Sequence, residues 1–439
     1  MFGMIFKLSV RAVERWMPDP LLFAFILTIL SAIAAIVLMG TGPVELVNYW
    51  GDSVWELLAF SMQMVLIVVS GFVLSTTPLF SRMLTQFASL ATSPVKAILL
   101  VSLGALTASW LNWGLGLIVG AILARRIAAR VPQVDYRLLV ASAYSGWIVF
   151  HGGLSGSIPL LIATPDHFLV DTIGVIPASE TIFTAFNLFI VISLFIAVPA
   201  INLLMLRGID KPVCVDPEKL KAEDSFPVDP GNETLADKLE NSWLVSLLIG
   251  GAAMFYVIYC LVTGKSGLNI NTINLLFLAL GIILHGTPRR FIAALNEGIK
   301  HVGAIVIQFP FYAGIMGIMS MSGLSSALSD FFIQVSNADT LPIWSFLSAG
   351  VLNLFIPSGG GQWAVQGPIM MEAALQLNAD LPRVAMAVAW GDAWTNLIQP
   401  FWAVPILAIA GLKARDIMGF CMMQTFASGV LVISGLWLF

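Results

Sequence analysis

Charge is what this chain has least of. Only 10% of its 439 residues are Asp, Glu, Lys or Arg, against roughly 25% in soluble domains, while 58% are apolar. So little polar surface excludes a soluble globular protein and offers no basic face for nucleic acid. The net charge of −4 says little more, because many charges fall in one loop. Cys214, Cys260 and Cys421 are far apart with no C-x-x-C spacing, which removes a disulfide framework and a thiolate metal centre. His151, His167, His285 and His301 form no H-E-x-x-H pair, and no Walker-type glycine loop is present. The chain is therefore expected not to be an enzyme, with no catalytic residues and no cofactor beyond a coupling Na+ or H+.

What is present is long apolar sequence, enough for about ten spans of roughly 20 residues. Spans occur near 20–39, 54–80, 182–205, 243–263, 270–286, 300–322 and 416–437, with interrupted stretches at 96–131, 136–165, 341–378 and 383–411. Lys and Arg set the orientation. Lys7, Arg11 and Arg15 recur every fourth residue among Phe2, Ile5, Phe6 and Val10, so residues 1–19 read as an amphipathic segment on the cytoplasmic membrane surface rather than a signal peptide. Residues 40–53 and 166–181 hold no Lys or Arg and fall outside; Arg82, Lys96 and the cluster Arg125, Arg126, Arg130 and Arg137 fall inside. With Lys96 and that cluster on one side, 96–131 enters and returns as a re-entrant hairpin. No Lys or Arg occurs from His301 to Pro382, so 341–378 is a second hairpin, entering from outside.

The expected fold is an all-α polytopic membrane protein of about nine full crossings. It has inverted-topology repeats, two re-entrant hairpins and two broken transmembrane helices. The first repeat covers 20–206, a cytoplasmic linker 207–242, a connecting helix 243–265 and the second repeat 266–439. The N-terminus is cytoplasmic and the C-terminus outside. An ungapped shift of 246 residues pairs Gly114 with Gly360, Arg137 with Arg383, Tyr144 with Trp390 and Pro159 with Pro405. Order and opposite orientation carry more weight than these identities, and together they fit an inverted repeat.

Four polar interruptions sit at corresponding places in the halves: Asn112 to Gly116, Phe150 to Ser157, Pro357 to Trp363 and Gly391 to Pro400. Broken backbone at membrane depth strands polar groups that lipid cannot satisfy, so it persists only when buried or lining a polar cavity. Paired breaks point to a transporter's substrate site. A hairpin tip begins its returning helix with unpaired N–H groups, which suits a carboxylate. Asn112, Trp113, Gly114, Ser155, Ser358, Gly359, Gly360, Gly361, Trp363 and Trp394 are the candidate substrate contacts. The same glycines would also serve tight helix packing.

Asp392 is the only acid between Asp380 and Asp416, and a charge there costs roughly 2.5–3.5 kcal/mol on insertion scales, so an ion or proton role is expected. Asn396 and Thr395 stand beside it to complete a sodium cage near Asp392 and Asn396, and His151 is the matching candidate for a proton relay. The hairpins offer no arginine or lysine at their tips for a second carboxylate, which favours a monoanion. Trp147, Trp390 and Trp402 also crowd the interruptions and are suited to wall an apolar pocket. A potential of 100 mV opposes a monoanion by about 2.3 kcal/mol, so accumulation requires a co-transported cation. A passive anion channel is the alternative, and a membrane-embedded enzyme stands behind it.

Several runs together resemble the bacterial short-chain fatty acid transporter family. They are Trp16-Met17-Pro18-Asp19-Pro20-Leu21, Leu58-Ala59-Phe60-Ser61-Met62-Gln63-Met64, Asn112-Trp113-Gly114, Gln308-Phe309-Pro310-Phe311-Tyr312-Ala313-Gly314, Pro357-Ser358-Gly359-Gly360-Gly361 and Gln399-Pro400-Phe401-Trp402-Ala403-Val404-Pro405. The resemblance runs nearly end to end. It implies uptake of short-chain monocarboxylates such as butyrate or acetoacetate across the bacterial inner membrane. Through the wider ion-transporter superfamily it implies elevator movement and a homodimer in the lipid bilayer. Where the dicarboxylate branch has Ser-Asn-Thr at its tips, this chain has Asn112-Trp113-Gly114 and Ser358-Gly359-Gly360.

Overall fold

A computed structural model of the protein describes residues 20–216, 220, 234–300 and 302–439. The amphipathic segment 1–19 and much of the expected linker lie outside the described residues. All regular structure within them is helical. The first half comprises α1 (Pro20–Met39), α2 (Pro43–Ser53), α3 (Leu58–Ser75), α4 (Pro78–Ser89), α5 (Pro94–Leu111), α6 (Trp113–Arg130), α7 (Tyr136–Ser145), α8 (Ser157–Ile162), α9 (Val170–Ile173) and α10 (Ala185–Arg207). The second comprises α11 (Leu235–Glu240), α12 (Trp243–Thr263), α13 (Ile270–His285), α14 (Pro288–Ile299), α15 (Gly303–Met321), α16 (Leu324–Val335), α17 (Leu341–Asn353), α18 (Gly359–Leu377), α19 (Leu381–Asn396), α20 (Pro400–Ala410) and α21 (Ala414–Leu438).

Polarity is distributed inversely to a soluble protein. Tyr136–Ile162, the least apolar of the long helical stretches, is almost wholly buried, whereas Leu21–Met39, the most apolar, is nearly bare. The outer face of α12 likewise presents Phe255, Tyr259 and Val262. A contiguous apolar exterior around a polar interior is what a lipid solvent selects. Among the described residues seven helices are long and apolar enough to cross a membrane, or eight if α15 and α16, bent by 73° at Ser322 and Gly323, form one span. Gly323 makes that bend at φ 80, in the left-handed region.

Two of the four interrupted stretches, 96–131 and 341–378, fold as antiparallel helix pairs. A Cβ on Gly116 would lie 2.2 Å from Ser109 Oγ, and one on Gly104 2.6 Å from Leu123, so α6 runs back along α5 from a turn at Asn112. In the second pair Gln362 Nε2 donates to the Ala349 carbonyl (3.1 Å) and Gln366 Nε2 to Ser348 Oγ (3.0 Å), so α18 returns along α17. The two broken helices also form. Each opens on an aspartate cap, Asp135 accepting from Leu138 N and Asp380 from Arg383 N, which satisfies first-turn donors. The first continues as a 3-10 turn through Gly146–Gly152, breaks, and resumes as α8; the second breaks after Asn396 and resumes at Pro400. Proline at N1 suits that restart, because its missing N–H would have no partner there.

The breaks are stapled across the halves. Tyr144 donates its hydroxyl to the Asn396 carbonyl (2.6 Å) and the Gln399 carbonyl (3.2 Å), two acceptors freed by the second break. Reciprocally, Trp390 Nε1 donates to Asn187 Oδ1 (3.0 Å), and Asn187 Nδ2 donates to the Gly152 carbonyl (3.1 Å) at the first break. Tyr144 and Trp390 are partners under the 246-residue shift, so each half supplies a donor toward the other's interruption, Tyr144 directly and Trp390 through Asn187.

Candidate functional site

The two hairpin tips are built alike and finished differently. Asn112 ends α5 and caps α6 in extended backbone (φ −155, ψ 126), accepting at Oδ1 from Leu115 N (2.9 Å) while Nδ2 donates to the Ile67 carbonyl (3.3 Å). Trp113 N donates to Ser155 Oγ (2.8 Å). Helix α3 clasps this tip: a Cβ on Gly71 would lie 2.2 Å from Asn112 Oδ1, and one on Gly114 3.3 Å from the Val68 carbonyl. The Asn112 and Ser155 side chains are both buried and engaged.

Ser358 caps α18 in matching backbone (φ −158, ψ 109), accepting from Gly361 N (3.3 Å). The first turn that follows is all glycine because nothing larger fits. A Cβ would meet His151 Nε2 at 2.4 Å and Asp392 Oδ2 at 3.4 Å on Gly359, Phe60 at 2.6 Å on Gly360, and Tyr312 at 2.4 Å on Gly361. The backbone carbonyl of Ser358 accepts from Gln362 N (2.7 Å). The N–H groups of Gly359 and Gly360 therefore precede the helical ladder and face the site.

His151 and Asp392, 241 residues apart, meet beneath that turn. His151 Nε2 donates to Asp392 Oδ2 at 2.9 Å and Asn396 Nδ2 to the same oxygen at 3.0 Å; His151 and Asp392 are 0% exposed. Asn353 Nδ2 reaches Asn396 Oδ1 (2.8 Å), Thr395 Oγ1 (2.9 Å) and the Asp392 carbonyl (3.0 Å). Thr395 Oγ1 donates in turn to the Gly350 carbonyl (2.9 Å), and Gln399 Nε2 to the Asn353 carbonyl.

A small cavity of about 30 Å³ opens between the second tip and these groups. Its apolar wall is Met64, Trp113, Trp147, Phe150, Phe309 and Trp402; its polar edge is Ser157, Gln308, Ser358, Gly359, Gly360, Asp392 and Asn396. No Lys or Arg lines it. That volume is room for about two water molecules, each of which needs ~10–15 Å³, and not for a carboxylic acid.

Around it, buried polar atoms stand without partners among the described residues. The donors are Gln308 Nε2 and Trp113 Nε1; the acceptors are Asp392 Oδ1, Asn353 Oδ1 and Gln399 Oε1, with His151 Nδ1. Orphaned groups are few in native proteins and call for a physical explanation. These group by sign: both donors belong to residues of the cavity wall, and the acceptor oxygens belong to the cluster around Asp392, which borders the same cavity.

The candidates from the sequence are thus sorted by geometry. Trp113, Ser358, Gly359, Gly360, Asp392 and Asn396 border the cavity, and His151 touches the tip through Gly359. Asn112, Gly114, Ser155, Gly361 and Thr395 support it from behind. Trp363 packs on Gly367 and Leu169, and Trp394 stacks on Phe346 (4.8 Å) and donates to the Thr425 carbonyl (2.6 Å), both away from the cavity. Gln308, Met64, Phe309 and Asn353 were not among the candidates. Gln308 and Asn353 carried a signal, each a lone amide in an apolar run.

Comparison with known proteins bears on the whole chain. The model of the short chain fatty acid transporter family matches residues 1–439. Two relatives, each provisionally named a short-chain fatty acid transporter, align over the full length of both chains. The one from Escherichia coli (strain K12) is 42% identical over 440 residues, and the one from Haemophilus influenzae 40% over 445. Among solved structures the chain is similar to the YdaH transporter of Alcanivorax borkumensis, with TM-score 0.58 and 14% identity over 96% of this chain and 98% of that one. It is also similar to MtrF of Neisseria gonorrhoeae, of a class of antimetabolite efflux pumps, with TM-score 0.53 and 14% identity over 99% and 97%. Identity that low speaks to the fold alone. The inverted polarity of the helical body and the end-to-end match agree: this multi-pass membrane protein belongs to the short-chain fatty acid transporter family and is a transporter, not an enzyme.

Proposed function

We propose that the protein takes up short-chain monocarboxylates by cation symport across the bacterial inner membrane, at the cavity beneath the second hairpin tip. The observation that carries this reading is the division of orphaned groups by sign. A carboxylate accepts hydrogen bonds, and the N–H groups of Gly359 and Gly360, Gln308 Nε2 and Trp113 Nε1 are donors in want of an acceptor. A cation or proton needs oxygen or nitrogen lone pairs, and Asp392 Oδ1 and its neighbours supply them. The lack of Lys and Arg leaves a second carboxylate unpaired, which supports a monoanion over a dicarboxylate.

The two ligands share one structural hinge. Gly359 packs directly on the His151–Asp392 pair, so loading that pair and seating the carboxylate at the tip act on the same backbone. A proton held between His151 and Asp392 neutralises a buried charge before it moves through low dielectric. The alternative cargo is sodium, supported by the three unpartnered oxygens of Asp392, Asn353 and Gln399, a hard donor set. Either cation in one-to-one ratio renders the step electroneutral, removing a cost of about 2.3 kcal/mol per 100 mV.

The transport cycle we infer is of the elevator type, with two re-entrant hairpins and two inverted repeats carrying the site past the outer helices, in a homodimer with cytoplasmic N-terminus and outward C-terminus. The reciprocal stapling by Tyr144 and Trp390 supports the repeat. The test is uptake of labelled butyrate and acetoacetate into proteoliposomes with proton and sodium gradients imposed separately. Concentrative uptake under one of them is expected; equilibration without accumulation under both would make the protein a passive channel.

A further inference from the structure

We propose that the Trp402 indole is the movable wall of the cavity and sets the longest acyl chain accepted, an inference that rests on the transporter reading above. The cavity, at about 30 Å³, is far smaller than a short-chain acid, so a substrate's tail must displace something. Most of the wall is fixed. Trp113, Trp147, Phe150, Phe309 and Met64 are buried. Trp147 is held further by its indole N–H on the Trp113 carbonyl (3.0 Å) and by stacking on Phe150 (4.6 Å).

Trp402 differs from all of these. It is the one aromatic in the wall that is only partly buried. Its ring centroid lies 5.1 Å from Trp147 and 5.5 Å from Trp113, where it occupies the space between the first tip and the second. Its Nε1 donates to the Pro357 carbonyl (3.0 Å), the residue immediately before the second tip. Withdrawal of that tip to admit a ligand breaks this bond to the tip and lets the indole turn, so opening the gate and enlarging the tail pocket are one event. Tail length is then limited by how far the indole can turn against the rigid first-half wall.

The experiment is uptake of labelled acetate, butyrate, hexanoate and octanoate by proteoliposomes holding wild type, Trp402→Phe or Trp402→Leu. The quantity read is the ratio of kcat/KM for hexanoate over butyrate. A methylene in an apolar pocket is worth roughly tenfold or more in discrimination. Trp402→Leu should therefore raise the ratio by about tenfold or more, and Trp402→Phe by a smaller factor in the same direction. If Trp402→Leu does not insert, Trp402→Phe and Trp402→Met carry the test. A ratio within about twofold of wild type in the variants that transport butyrate overturns this inference alone. Failure of the wild type to take up any of the four acids overturns the transporter reading, and the inference with it.

Discussion

The two hairpin tips correspond under the 246-residue shift, and each has an extended backbone and a capping side chain, yet only the second opens its first helical turn onto the cavity. At Asn112 every polar group of the cap is engaged by protein, and α3 closes over it. At Ser358 the cap is partly exposed, and the glycine turn beyond it borders the cavity and the His151–Asp392 pair. Duplicated architecture does not imply duplicated function. The first tip is read as a fixed wall whose capping groups have been satisfied and whose Trp113 indole N–H alone stands without a partner, the second as the gate whose donors await a ligand. The first tip still contributes Trp113 to the wall, but as a surface and not as a moving part.

The largest effect expected is at the floor of the second tip. Asp392→Asn keeps the shape and removes the charge that a cation would neutralise, so uptake against a gradient should be abolished while exchange of labelled for unlabelled substrate persists. Accumulation that still follows the imposed gradient would remove Asp392 from coupling. Next comes Gly359→Ala. Its methyl would fall 2.4 Å from His151 Nε2, and overpacking of this kind costs about 1–3 kcal/mol, roughly five- to 150-fold in uptake. Gly114→Ala in the first tip meets its neighbours at 3.3 Å, which small shifts accommodate, and should cost uptake less than about threefold. Equal losses would erase the distinction between the tips.

How much of this was legible beforehand follows from what each signal measures. Interruptions in apolar sequence mark where a helix must stop, and the stops fall at Asn112 and Ser358, between helices of the expected hairpins 96–131 and 341–378. The same reasoning singled out Asp392 and His151 separately as coupling candidates, because a lone ionisable group in an apolar run is costly wherever it lands. It could not pair them, since periodicity has no information on contacts 241 residues apart. Trp363 and Trp394 show the complementary weakness. Trp394 is two residues from both Asp392 and Asn396, but successive helical side chains point about 100° apart, so nearness in sequence set it on another face; Trp363, three residues beyond Gly360, sits a turn further along α18 from the tip. The expected span 300–322 ends at the bend before α16, at Ser322 and Gly323.

The caps separate stability from transport. Asn112→Ala leaves the Leu115 N–H without a partner in a buried site and removes one of the bonds to the Ile67 carbonyl, which keeps that from the Ser70 hydroxyl, a loss of about 1–2 kcal/mol. Ser358→Ala loses one bond where solvent can substitute, about 0.5–1 kcal/mol. Thermal unfolding of the purified variants should therefore show the larger drop in Tm for Asn112→Ala. A Ser358→Ala drop as large would mean that the second tip is as closed as the first.

The smallest effect belongs to a contact that should disturb neither tip. On α11, hydrogen bonding from Thr234 first, and then from Arg289 of α14, holds the Asp237 carboxyl below its usual 3.8. A carboxyl depressed on folding stabilises above its unfolded pKa, and that stabilisation is lost as pH falls through the lower folded value. Protection of the α11 amides, that is exchange relative to its intrinsic rate at each pH, should therefore be steady from neutral pH down to about 4, the usual carboxylate range, and fall below it. At pH 7, Asp237→Asn should loosen α11 in the same assay and leave coupled uptake within about twofold, because no bond of Asp237 reaches either tip. Loss of coupling in that variant would show that the gate answers to the segment joining the halves, and the second tip would then be only part of the moving unit.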